Sequence, residues 1–232
     1  MPTRAALAGS LWKPSLAKPL KLMYSMRIIL REKLPYDLFD YTQLSSVLSA
    51  YANVRGKIGR LLASGEIIRL KKGLYTFPEY LRRVPLNPCI VANMLYGPSY
   101  VSRDFALSYY DMIPETVAVV TSMTTGRPRR FQTPVGIFDY QHRQAADFSI
   151  GIESIDSGNG VFLIAGREKA LYDKVLTDKR FDGQDVESYL LHDLRLERDS
   201  LASLNLNLLR ELRAVARGRM SELLDFLIGL CR

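Results

Sequence analysis

Cysteine and histidine are scarce in this sequence, two of each in 232 residues, and there is a single tryptophan. Cys89 and Cys231 lie far apart with no CxxC spacing and no histidine-rich company, which argues against a disulfide framework and against a zinc site. With His142 and His192 the only imidazoles, too little metal-ligand chemistry is left to build on, so neither a metal nor a cofactor is expected. Long apolar runs are missing too. None approaches the roughly 18 residues that a membrane span requires, so no membrane partner is expected. Residues 1–21 hold scattered Lys and Pro and one short apolar stretch at 5–11, without the apolar core and cleavage pattern of a secretory signal. Residues 1–22 therefore read as a flexible basic arm of a cytoplasmic protein. No glycine-rich loop with P-loop spacing follows a strand, no GxSxG occurs, and neither histidine has a Ser or Cys nucleophile near it in sequence.

What is present is a globular composition, 47% hydrophobic and 24% charged, with its positive charge gathered at one end. Residues 1–83 hold 15 Lys and Arg against 5 Asp and Glu, whereas the remaining 149 residues hold 17 against 19. A basic module beside a near-neutral one is what phosphate binding requires; a basic face kept for solubility is the plainer reading. The length accommodates two ordinary domains.

Hydrophobic periodicity organises the first third. Met23, Met26, Ile29 and Leu30 recur at helical spacing until Pro35 ends the run. Asp40 can cap a second helix carrying Leu44, Val47 and Leu48. A third helix is predicted over 52–64, with Val54, Ile58, Leu61 and Leu62 buried and Gly65 as its C-terminal cap. Two short strands at 67–70 and 74–77 then flank Lys71-Lys72-Gly73, whose glycine suits a tight hairpin. Three helices followed by a basic hairpin is the order of a winged helix-turn-helix, predicted over 23–81. Pro85, Asn87 and Pro88 read as the linker out of it.

The region 82–232 reads as a mixed α/β domain with a helical C-terminal tail, making the whole chain α+β. An apolar stretch lies at 90–95, a helix at 102–110, and strands at 117–121, 136–140, 149–155 and 161–165. The last two are joined by Asp156-Ser157-Gly158-Asn159-Gly160, the strongest hairpin signal in the chain. From Arg167 onward apolar residues recur at three- and four-residue steps, so the tail is helical, and its stripes offer a surface for homodimerisation.

On the predicted third helix, the buried stripe leaves Asn53, Lys57, Arg60 and Ser64 on the opposite side, the face that would enter a major groove. Asn pairs bidentately with adenine, and Arg or Lys with guanine, while Gly56 would let the backbone come close to a phosphate. Lys71 and Lys72 at the hairpin tip would reach the adjoining phosphates, with Arg55 and Arg69 as flanking backbone contacts. A solvated helix face and a solubilising hairpin tip are the bland alternatives. Thr124-Thr125-Gly126-Arg127-Pro128-Arg129-Arg130 is the one basic cluster of the second region. Its arginines, Arg127, Arg129 and Arg130, face nucleic acid, an acidic partner, or simply local carboxylates. Glu168-Lys169, with Asp104, Asp139 and Asp173 elsewhere, is the nearest approach to a metal-dependent nuclease, but Glu and Lys are adjacent there and begin a helix.

Over residues 39–179 the chain resembles the AbiEi-type antitoxins and predicted transcriptional regulators of viral defence, from type IV toxin–antitoxin systems. The resemblance rests on residues 39–44, on Lys72-Gly73-Leu74-Tyr75, on Tyr100-Val101-Ser102-Arg103-Asp104-Phe105-Ala106-Leu107-Ser108-Tyr109-Tyr110, and on Ile113-Pro114-Glu115. It continues through 121–131, Gly136-Ile137-Phe138-Asp139-Tyr140, and Ala165-Gly166-Arg167-Glu168-Lys169-Ala170-Leu171-Tyr172-Asp173. It implies a winged-helix domain that binds operator DNA and represses its own operon. Joined to it would be a domain, non-catalytic like the first, that antagonises a nucleotidyltransferase-like toxin without a stable complex, with Arg127, Arg129 and Arg130 as candidate contacts. The arm and the helices after Asp182 have no counterpart in the pattern. Two rivals stay open: a metal-dependent nuclease or other nucleic-acid enzyme in the second domain, and a protein-interaction module with no DNA partner.

Overall fold

In the computed structural model residues 28–144 and 147–231 are described. The expected arm at 1–22 and the start of the expected first helix at Met23 lie outside them. Residues 28–33 are helical (α1), and Leu34-Pro35 ends the helix as the proline ring dictates. Asp40 then does two jobs. It closes strand β1 (Leu38–Asp40) and caps α2 (Tyr41–Val47): its carboxylate accepts from Gln43 N at 2.8 Å, and the Gln43 side chain accepts from Asp40 N at 2.8 Å. This reciprocal pair satisfies two amides that a helix start would otherwise leave open.

Helix α3 (Val54–Ala63) follows, and Gly65 leaves it with φ 69, the left-handed geometry that a residue without Cβ adopts cheaply. Strands β2 (Ile68–Lys71) and β3 (Leu74–Thr76) pair antiparallel, and β1 pairs with β3 on its other side, giving a three-stranded sheet in the order β1-β3-β2. Strand alternation divides this sheet between two cores. Phe39, Tyr75 and Phe77 pack with Leu30, Leu34, Leu44, Leu48, Ile58 and Leu61, whereas Leu38, Leu70 and Leu74 belong to the larger core of the chain. The sheet is thus buried on both faces.

A short 3-10 turn (Glu79–Leu81) leads into the connection. Asp37, 8% exposed, accepts from Arg31 at 2.5 Å, Arg83 N at 2.8 Å and Val84 N at 3.3 Å. The Arg83 guanidinium donates to the carbonyls of Arg31, Leu34 and Pro35, and Arg82 Nε to that of Phe77. Residues 82–84 are thus hydrogen-bonded back to residues 31–37 and to Phe77. Pro88, expected in a linker, instead opens helix α4 (Pro88–Leu95), where Asn87 caps and a proline lacks only an amide that had no partner.

The remaining elements are β4 (Ser99–Val101), α5 (Arg103–Tyr109), β5 (Val119–Thr124), β6 (Arg129–Thr133), β7 (Gly136–His142), β8 (Ile152–Asp156), β9 (Val161–Ala165) and α6 (Arg167–Thr177). They form a mixed six-stranded sheet in the order β6-β7-β5-β4-β9-β8, parallel at β7/β5 and β4/β9 and antiparallel elsewhere. Helix α4 packs on β4 and β9, α5 on β5, and α6 on α5 and β9. The tail comprises α7 (Val186–Ser188), a π-helical turn (Tyr189–Asp193), α8 (Arg198–Ala202), α9 (Leu206–Val215) and α10 (Arg219–Leu230), of which α9 and α10 pack together. The chain is α+β. Among the described residues no helix is long and apolar enough to cross a membrane.

Candidate nucleic-acid interface

Helix α3 presents to solvent a face different in detail from the expected stripe. Asn53 is its N-cap: the side-chain oxygen accepts from Gly56 N at 2.8 Å, so the acceptor that adenine would use is already engaged. A Cβ at Gly56 would meet that Asn53 side chain at 2.8 Å, so here the glycine makes room for the cap. Ser64 closes the helix, its hydroxyl donating to Leu61 O and to Glu66. Lys57 lies half-buried with its ammonium 5.1 Å from the Tyr51 ring, an aromatic face that attracts a cation. Arg60 is exposed and reaches back to Gly56 O at 3.3 Å. Between these cations and the exposed Arg55 runs a strip of small residues, Gly56, Gly59 and Ala63, and Gly59 has open space where a Cβ would stand.

The hairpin separates its two lysines. A bulge between Arg69 and Lys71 shifts the β2/β3 register, and such a bulge re-aims the side chain that follows it. Lys71 turns inward and donates to Leu95 O, at the end of α4, at 2.6 Å; burial lowers its pKa. Lys72 stays exposed at the tip, as does Arg69 on the strand.

Contacts continue from this hairpin in both directions. Gly73 O accepts from Tyr41 N at 2.9 Å, joining the tip to the start of α2, and hydrogen bonds from Ser45 and Arg55 lower the pKa of the Tyr41 hydroxyl. On the other side Leu95 is followed by Tyr96, whose ring lies 5.3 Å from the Arg129 guanidinium and whose hydroxyl donates to Arg127 O. Arg129 and Arg130, expected between strands, stand on β6, the free edge of the large sheet. Arg127, Arg129 and Arg130 are all exposed. Among the described residues none of these three, nor Arg55, Lys57, Arg60, Arg69 or Lys72, forms a salt bridge, while ten ion pairs form elsewhere.

A second polar assembly escaped the sequence. Asp173, in α6 and wholly buried, accepts from Tyr100 and Ser102 of the β4 region at 2.8 and 2.9 Å, and its other oxygen stands 3.7 Å from both Lys169 and Arg143. Arg143 also pairs with Asp147 at 2.5 Å, and Lys169 donates to Asp147 O at 2.8 Å. Burial lowers the Lys169 pKa, and burial first, then Asp173, raises that of Tyr100. Glu168, the neighbour in the nuclease-like pair, turns away to accept from Asn205 N at 2.6 Å. Three segments, around Tyr100, Arg143 and Asp173, are thereby held by one buried charge cluster. Among the described residues no group of three or more His, Cys, Asp or Glu side chains is placed to hold a metal ion.

No protein-family model matches this chain, and no curated protein matches it.

Proposed function

We propose that the chain is a sequence-specific DNA-binding regulator. In this reading α1, α2, α3 and the β2–β3 hairpin form a winged helix-turn-helix, α3 enters the major groove of duplex DNA, and the hairpin lies along the adjoining phosphates. One observation carries it: the exposed cations of α3 and the hairpin stand free of carboxylates, in a chain that pairs many of its other charges. Unpaired cations in a connected row repel one another and persist most readily where an anionic partner completes them. The small residues Gly56, Gly59 and Ala63 let the helix axis approach a groove closely, with Arg55 on one flank and Lys57 and Arg60 on the other. Asn53 and Ser64, engaged in capping, contribute less than these cations.

The hairpin supplies the test. Lys72→Ala should make the slope of log K against log salt shallower by about one unit for every DNA sequence, given roughly −0.9 per phosphate contact. Lys71→Ala should leave that slope unchanged, because its ammonium is held by Leu95 O. Titration of both variants with duplex DNA at several salt concentrations decides it; equal effects would mean that the hairpin is turned otherwise on the DNA.

A second role is favoured by the arginine strip. Arg127, Arg129 and Arg130 lie outside α3 and the hairpin, the last two on an edge strand of the large sheet and Arg127 just before it, without ion-pair partners among the described residues. We propose that this strip serves the antitoxin role that the family resemblance implies, antagonism of a nucleotidyltransferase-like toxin. Changing all three to alanine should abolish rescue of cells from the cognate toxin while the preferred DNA sequence is retained. Rescue at the parental level would remove the strip from that role.

A further inference from the structure

We propose that the cavity between the N-terminal elements and the β8–β9 hairpin binds a neutral, largely apolar small molecule, which bridges the DNA-contacting part of the chain to the six-stranded sheet. The cavity measures about 450 Å³, inside the roughly 300–1,000 Å³ of small-molecule sites. Its walls come from residues 35–38 around the start of β1, the connection 83–87, one side of α4, and the hairpin tip 158–161. Gly160 lets the tip close down on α4: its φ is 139, and a Cβ there would stand 3.1 Å from Ile90 Cδ1.

The chemistry of the walls selects the guest. Tyr36, Met94 and Val161 are 55, 39 and 59% exposed, an unusual state for large apolar side chains that share one concavity. Much of the polar lining is already engaged within the protein. Asp37 is held by Arg31 and two backbone amides, and the Arg83 guanidinium by three carbonyls. Asn87 caps α4, Asn93 exchanges hydrogen bonds with Leu163, and Gln43 completes the α2 cap. The Arg83 N–H groups that an anion would seek are taken by three carbonyls, and the Asp37 carboxylate that a cation would seek is held by Arg31, whereas a neutral apolar guest has little hydration to lose on entering. A protein partner would need a patch of about 800 Å², and the exposed apolar groups here stay at the rim of one cavity.

The bridging consequence rests on the DNA-binding reading: β1 runs through Asp40 into α2, so an occupant against residues 35–38 touches the elements that carry α3. The probe is Nile red, a neutral apolar dye, added to the full chain. One saturable site is expected, weakened at least about tenfold by Val161→Arg and by Met94→Arg, with unfolding midpoints checked for each. No saturable binding, or equal affinity in both variants, overturns the site. With duplex DNA present, saturating dye should change DNA affinity by roughly fivefold or more, the lower end of ordinary allosteric coupling; an unchanged affinity overturns the bridge. If the chain binds no DNA, the DNA reading fails by itself, and the bridge is read from amide hydrogen exchange instead. The dye should then slow exchange at Arg83 and Val84, whose amides donate to Asp37, and unaltered exchange overturns it.

Discussion

Replacing Asp173 by alanine should lower the stability of the chain by about 3–5 kcal/mol, the usual cost of removing one partner from a buried ion pair. Arg143 and Lys169 are 3% and 0% exposed and both face the Asp173 carboxylate, so the substitution leaves two cations in low dielectric, with Asp147 to one side as the remaining acid. Tyr100 and Ser102 lose their acceptor in the same step. Lys169→Met should cost less, because Arg143 still answers Asp173 and the apolar chain suits the Tyr100 and Tyr172 rings that flank the ammonium. Urea unfolding of the two variants beside the parent measures both. A loss below about 1 kcal/mol for Asp173→Ala, the level of a surface pair, would show that the cluster does not hold these three segments.

The second large effect belongs to α3. Lys57→Ala and Arg60→Ala should each cost roughly 1–3 kcal/mol of discrimination at one base position, about 5- to 150-fold in relative affinity. Arg60 is exposed and Lys57 needs only to leave the Tyr51 ring to reach a base edge. Selection of preferred sequences from a random duplex pool, with each variant and the parent, reads the effect directly. If both variants keep the parental preference in full, α3 is not the element in the groove.

Features governed by neighbours in sequence were the legible ones. The Asp40 cap, the span of α3, the Gly65 exit, the Lys-Lys-Gly hairpin and the turn at 156–160 all appear where local rules put them. Strands β1 and β6 were not legible. The first is three residues long, and the second opens with two exposed arginines on a sheet edge, so neither carries an apolar pattern strong enough to announce a strand. Pro88 reads equally well as linker or as the first residue of a helix, and only the Asn87 cap distinguishes them. The hairpin lysines look equivalent until the bulge after Arg69 turns one inward. The Asp173 cluster was the least accessible, since its members come from three separated segments and each of its charged groups, taken alone, is of the kind normally found at the surface.

We propose above all that the unpaired cations of α3 and the hairpin make a surface for duplex DNA. Titration of the full chain with duplex DNA from about 50 to 300 mM salt tests it most directly. The account predicts binding whose log K falls linearly with log salt at a slope steeper than about −3, as several released counterions require. A chain that binds no duplex at about 50 mM salt, or whose affinity there is indifferent to salt, would contradict it.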